Sequence, residues 1–162
     1  LLDELISIVK YGDTVEETTA LDLETIVTET WPNAPNATLS VESSLPTVEA
    51  EESRLRQVFE NLFRNAIEQA SGEAQIRVGR IDQAESTATA DATAIYVADN
   101  GPGIPPEKRE KVFEYGYTGS EDGTGLGLAI VDRIVAAFGW EIALTESHNG
   151  GARFEIRNIE VA

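Results

Sequence analysis

Two glycine clusters constrain this chain more than any other feature: Asp99-Asn100-Gly101-Pro102-Gly103 and Gly123-Thr124-Gly125-Leu126-Gly127, separated by residues 104–122. Alternate glycines permit turns with positive φ and expose main-chain N–H groups that a Cβ would shield. The second cluster opens an apolar helical pattern, and a helix N-terminus offers free N–H groups and a dipole that favour an anion. Read by themselves, the clusters fit plain turns as well as a phosphate cradle. A Walker A loop is excluded because no Lys follows Gly123, Gly125 or Gly127. A dinucleotide fingerprint fails as well, since Leu128 stands where its third Gly belongs and residues 116–122 read as loop rather than strand.

Periodicity supplies the frame around them. Leu21–Trp31 reads as an amphipathic helix stopped by Pro32, and Thr38–Glu42 alternates like a strand. Glu49–Glu52 reads as the acidic first turn of a long helix over Glu51–Ala70. Gln75–Ile81 and Ala92–Ala98 are strands, Pro105–Phe113 a short helix, and Gly125–Phe138 a helix closed by Gly139. A final hairpin pairs Glu141–Thr145 with Ala152–Asn158. Helices and strands without regular βαβ alternation imply a two-layer α/β sandwich, with a mixed sheet of about five strands under about three helices. Ahead of this domain, which spans residues 21–162, residues 1–12 read as the end of a truncated helix, and residues 13–20 as a linker or short edge strand.

The long helix gives the glycine clusters a partner. Asn61, Asn65 and Glu68 fall at i, i+4 and i+7 on one face, roughly opposite the stripe of Leu55, Val58, Phe59, Leu62, Ala66 and Ala70. A solvated face is the ordinary explanation. Asn is nonetheless a poor interior helix residue, and an amide oxygen suits Mg²⁺, which takes a few protein oxygens and completes its shell with water and phosphate. Asp99 at a strand end can accept a hydrogen bond from an exocyclic amine, which adenine carries and guanine lacks at that position.

Asn61-Leu62-x-x-Asn65-Ala66, Asp99-x-Gly101-x-Gly103 and Gly123-Thr124-Gly125-Leu126-Gly127-Leu128 occur in the order and rough spacing of the N, G1 and G2 boxes of sensor histidine kinases. Phe113 in KVFEYGYT matches the F box, and Gly150-Gly151-Ala152-Arg153-Phe154 the last turn and strand. The chain thus resembles the catalytic ATP-binding domain of the gyrase, Hsp90, histidine kinase and MutL superfamily. That resemblance implies a Bergerat-type fold, ATP and Mg²⁺ as ligands, and donation of the γ-phosphate to a histidine on upstream dimerisation helices. A response-regulator receiver domain would take the phosphoryl group next. It implies that Asp99 binds the adenine amine beside Gly101, Gly103 and Ile104, and that Asn65 ligates Mg²⁺ with Asn61 at the phosphate end. Glu68 stands where relatives often carry Lys. Gly123, Thr124, Gly125, Leu126, Gly127 and Leu128 would present N–H groups to the phosphates, next to a lid and F box that include Phe113, Tyr117 and Thr118. Gln69 replaces a frequent aromatic, and Ala152 a frequent Thr.

In hydrolytic members a Glu precedes the Mg²⁺ Asn by four residues; here that residue is Asn61, and Glu60 points about 100° away. A kinase is therefore the expected activity, with an ATPase switch or a nucleotide-sensing pseudokinase as the alternatives. His148, in a turn without an adjacent acid, is not the expected acceptor. Net charge of −17 with three Lys among twelve basic residues suits a halophile's cytoplasm, and the absence of a basic stripe argues against nucleic acid. No apolar run is long enough for membrane contact by this chain.

Overall fold

The computed structural model describes residues 17–70, 72–81, 93–114, 127–147 and 150–162. In chain order the elements are β1 (Thr19–Asp22), α1 (Leu23–Thr30), β2 (Ala37–Val41), β3 (Thr47–Ala50), α2 (Glu52–Gln69), β4 (Ala74–Arg80) and β5 (Thr93–Ala98). Two 3₁₀ turns, Pro106–Lys108 and Lys111–Phe113, lead towards α3 (Gly127–Ala137), β6 (Glu141–Glu146) and β7 (Ala152–Ile159).

Period-two alternation decides which side of the sheet is covered. Ile76 and Val78 on β4, Ile95 and Val97 on β5, and Phe154 and Ile156 on β7 are buried against the helices. The five strands run β2-β4-β5-β7-β6, with β2 and β4 parallel and every other pair antiparallel. The single parallel pair follows from its connection, because β2 reaches β4 through β3 and α2 rather than through a tight turn. Helix α2 contacts both other helices and β4, while α3 packs on β6. Phe59 and Phe63 of α2 are fully buried, and Trp31 meets Phe63 edge-on at 5.2 Å between ring centroids. This mixed α/β sandwich agrees with the architecture expected from the residue pattern. The opposite sheet face is polar: the Tyr96 hydroxyl donates to Glu42 at 2.6 Å and the Arg153 guanidinium lies 4.4 Å from the Tyr96 ring centre.

Three local expectations need correction. Glu49 belongs not to the first turn of α2 but to β3, where Val48 and Ala50 point inward with no exposed surface. That strand pairs antiparallel with β1, and the Glu49 N–H donates to the Glu160 carbonyl while the Ala162 N–H donates to Thr47. Alternating burial and a partner on each edge outweigh the helix-start signal of the acids. The edge strand runs Thr19–Asp22 rather than within residues 13–20, and it takes Leu21 out of the following helix, which begins at Leu23. The single helix expected over Pro105–Phe113 is instead two 3₁₀ turns, Pro106–Lys108 and Lys111–Phe113. The solvated face that would ordinarily explain Asn61 is not what the fold provides, because Asn61 is buried, at 4% exposure. The expected helix end at residues 1–12 and the start of the α3 pattern at Gly125 lie outside the described residues.

Candidate functional site

Helix α2 is the spine of the site. Its polar edge runs from Asn61 to Gln69, a rise of about 12 Å along the axis. At one end, the Asn61 side chain faces the start of α3: a Cβ placed on Gly127 would sit 3.1 Å from Asn61 Oδ1 and 3.9 Å from an Arg64 terminal nitrogen. The Asn61 Nδ2 donates to the Gln57 carbonyl at 2.8 Å, and Arg64 donates to Asn61 Oδ1. Asn61 is buried because α3 lies across it, which helical spacing within α2 does not reveal. Asn65 is half-buried one turn further on, and Glu68 is exposed. At the other end the Gln69 carbonyl lies 3.7 Å from where a Gly101 Cβ would stand. The first glycine cluster therefore abuts the end of α2, one turn from Asn65.

Asp99 follows the last residue of β5 and is 5% exposed. Its Oδ1 accepts the Gly101 N–H at 2.9 Å and the Ala152 N–H at 3.1 Å. Among the described residues Oδ2 takes no bond, so one carboxylate oxygen is fixed by the backbone and the other is available. Burial pushes the Asp99 carboxyl above its ordinary pKa, and the two N–H donors and Arg77 oppose that shift. The Asp99 backbone is equally anchored: its N–H donates to Ala152 at 2.9 Å and its carbonyl accepts the Ser147 hydroxyl at 3.0 Å.

Two turns interlock around this carboxylate. Gly103 has φ +75°, and a Cβ there would meet the Gly150 carbonyl oxygen at 2.3 Å. A Cβ on Gly151 would meet the Asp99 carbonyl oxygen at 2.1 Å. Asn100 ties the same loop to β4, accepting the Gln75 N–H at 2.9 Å and donating to the Glu73 carbonyl at 3.0 Å. Half-buried Ile104 packs on the core, and its carbonyl accepts from Arg109 Nε at 3.0 Å. Phe113 stacks edge-on against Phe154 at 6.2 Å. Leu128 is half-buried on the first turn of α3.

The structure thus brings Asn61, Asn65, Asp99, Gly101, Gly103, Ile104 and Gly127 around α2. Gly123, Thr124, Gly125, Leu126, Tyr117, Thr118 and His148 lie outside the described residues. Sequence reasoning gave no site role to Gly151, Ser147, Asn100 or Arg109. The Gly150-Gly151 pair was a visible signal for the first of them, but the other three act through side chain to backbone bonds that no spacing announces. Glu60 is exposed and, with Thr30, Pro32, Ala34, Arg64, Ile67 and Glu68, lines a groove of about 350 Å³ on the α1 side of α2. Asn65 is not among the residues that line this groove.

Among the described residues no three His, Cys, Asp or Glu side chains come together to hold a metal. A half-buried amide such as Asn65 fits an ion that draws its remaining ligands from phosphate and water.

Comparison with known proteins identifies the class. Residues 50–161 match the family of histidine kinase-, DNA gyrase B- and HSP90-like ATPases, and the chain belongs to that family. More particularly, it is 38% identical over 125 residues to the sensor histidine kinase Hik2 of Synechocystis, covering 73% of this chain and 29% of Hik2. The catalytic domain of histidine kinase ThkA superposes with TM-score 0.74 at 30% identity, over 90% of this chain and 97% of that domain. Full-length ShkA in complex with AMPPNP gives TM-score 0.77 at 28% identity, over 99% of this chain and 35% of ShkA. The chain is a histidine kinase-like ATPase domain, and it spans only 29% of the length of its relative Hik2.

Proposed function

We propose that this domain binds ATP with Mg²⁺ and donates the γ-phosphate to a histidine on dimerisation helices of the same protein. The observation that carries the reading is Asp99: a buried carboxylate with one oxygen locked by two backbone N–H groups and the other open, in a loop whose Gly101 abuts the end of α2. Asp99 Oδ2 accepts from the adenine amine, Gly101, Gly103 and Ile104 wall the base, and Asn61 and Gly127 border the phosphate end. Asn65 holds Mg²⁺, which when bound offsets charge on the phosphate oxygens. The acceptor's imidazole nitrogen attacks the γ-phosphorus, the bond to the β-phosphate oxygen breaks, and ADP leaves. The protein's contribution is position and electrostatics.

A kinase is favoured over a hydrolase because Asn61 occupies the position of the water-activating Glu, and Glu60 lies on the groove side of α2. An ATPase switch and a nucleotide-sensing module are the competing roles. The ThkA kinase has been crystallised with the response regulator TrrA, which supports a receiver domain as the onward acceptor here. Residues 1–12 would then be the end of a dimerisation helix, joined through residues 13–20 to the domain at 21–162. The test is nucleotide titration of the chain with and without Mg²⁺. Binding of ATP without turnover is the expected result; sustained hydrolysis by the chain alone would overturn the kinase reading.

Asn65→Ala should remove the Mg²⁺-dependent part of ATP affinity. The expected loss is on the order of 10–100-fold, a range reached even when outer-shell partners of a metal are removed. An unchanged Mg²⁺ dependence in calorimetric titration would move the metal off Asn65.

The acidity fits a cytoplasm of concentrated salt. With a net charge of −17, self-repulsion opposes compaction, and at about 1 M salt the screening length shrinks to about 3 Å. The melting temperature should therefore rise from dilute buffer to molar KCl. A flat or falling profile in a thermal melt would dismiss the halophilic assignment. Among the described residues no helix is long and apolar enough to cross a membrane.

A further inference from the structure

On the outer face of the sheet one row of residues crosses all five strands. Ser40 of β2 lies opposite Arg77 of β4, Arg77 opposite Ala98 of β5, Ala98 opposite Arg153 of β7, and Arg153 opposite Thr145 of β6. Residues paired in this way project to one side of the sheet. Here it is the side away from the helices, because Val97 and Phe154, the next residues along β5 and β7, point into the core. The row holds two arginines and no acid, in a chain with 29 acidic and 12 basic residues. Arg77 is half-buried and forms no ion pair among the described residues. The carboxylates beside the row are already engaged: Glu155 accepts from Arg153 Nε at 3.0 Å and from an Arg157 terminal nitrogen at 2.5 Å, and Glu42 accepts the Tyr96 hydroxyl.

We propose that Arg77 and Arg153 form a binding site for a small, doubly charged oxyanion of the phosphate type, seated over Ala98 on the sheet face opposite the helices. Two inter-strand steps set the arginine backbones about 10 Å apart, so both side chains can close on one anion from opposite sides. Ala98 faces outward with a short side chain and is nevertheless 1% exposed, so the longer side chains around it fold over it. Arg153 is held in place by its neighbours. The Tyr96 ring centre lies 4.4 Å from its guanidinium and Glu155 takes Nε, which orients the planar fork and leaves the terminal nitrogens for a ligand. Arg77 adds a second fork that no carboxylate of the described residues neutralises. Ser40 and Thr145 end the row with hydroxyls rather than charge. Like charges facing each other across Ala98 repel, and one anion of charge −2 between them offsets both through charge-assisted hydrogen bonds. The site stands apart from the nucleotide reading, since Asn61 and Asn65 lie on α2, on the other side of the sheet.

The test is an NMR titration of the whole chain with inorganic phosphate, against chloride at matched ionic strength, slightly above neutral pH. Saturable, phosphate-specific shifts should centre on the amides of Arg77, Ala98 and Arg153 and on the two arginine side chains. Arg77→Ala should weaken phosphate on the order of tenfold or more, as expected for loss of a charged hydrogen-bond partner. Its melting temperature should stay that of the parent, because Arg77 has no ion pair to lose. Ser40→Glu keeps both arginines and places a carboxylate opposite Arg77, so it should abolish phosphate binding by taking the place of the anion. Equal shifts with chloride and phosphate would mean general screening and would overturn the proposal. Saturable shifts confined to the start of α3 beside Asn61 would put phosphate at the nucleotide site and overturn it as well. So would an unchanged phosphate Kd in both variants.

Discussion

Gly151→Ala is expected to cost about 3 kcal/mol of stability and to reduce nucleotide affinity at least on the order of 100-fold. The added Cβ would lie 2.1 Å from the Asp99 carbonyl oxygen and 2.7 Å from both the carbonyl carbon and Oδ1. Two of these are backbone atoms, and the third is a carboxylate oxygen held by the Gly101 and Ala152 N–H groups. Relief requires β5 and β7 to separate where Ala98 pairs with Arg153. That movement breaks Asp99 N–H to Ala152, Ala152 N–H to Asp99 Oδ1, and the Ser147 hydroxyl to the Asp99 carbonyl. At about 1 kcal/mol each, the loss is a large fraction of a typical stability of about 5–15 kcal/mol. Gly139→Ala is the control. Gly139 has φ +81°, which Gly151 does not, and nothing lies within 4 Å of its Cβ position, so backbone strain of about 1–2 kcal/mol should appear without loss of binding. Chemical denaturation and calorimetry on both variants decide the matter. If the two lose binding equally, the interlocked turns are not what sets the carboxylate.

The contrast between Gly151 and Asn61 explains what the sequence could and could not carry. The sheet was legible because Ile76, Val78, Ile95, Val97, Phe154 and Ile156 alternate with polar residues, and alternation depends only on neighbours in the chain. Strand β3 was not, because Val48 and Ala50 gain their partners from β1 and the distant C-terminal residues 160–162, and the acids around them imitate a helix start. The order of glycine and asparagine boxes pointed to the right family, since each box is local. Its three-dimensional consequences were less accessible. Asn61 is buried because α3 crosses it, and Ser147 and Asn100 contribute through bonds spanning 48 and 27 residues. Long-range contacts of this kind are a property of the packed chain.

Asp99→Asn should separate function from stability. The amide keeps Oδ1 as acceptor for the Gly101 and Ala152 N–H groups, so the loop retains its two anchoring bonds. What changes is the second position, where an N–H₂ donor replaces the open oxygen and would face the adenine amine, donor against donor. ATP affinity should fall by about 10–150-fold, the equivalent of a hydrogen bond to a charged group at about 1.5–3 kcal/mol. Nucleotides carrying a carbonyl at the same ring position should suffer less, narrowing the preference for adenine. Stability should move the other way. Burial raises the folded-state pKa of Asp99 above its unfolded value, so the group's contribution is fully present below the unfolded pKa and lost as pH rises through the folded one. Near neutral pH the ionised carboxylate is thus a burden on the fold, and the neutral amide removes it. The variant should melt at the same temperature as the parent or higher near neutrality, and that advantage should shrink as pH falls through the raised carboxyl pKa. A variant that binds ATP normally would displace Asp99 from the base. One that melts well below the parent near neutral pH would mean that the carboxylate is held for the fold rather than for the ligand.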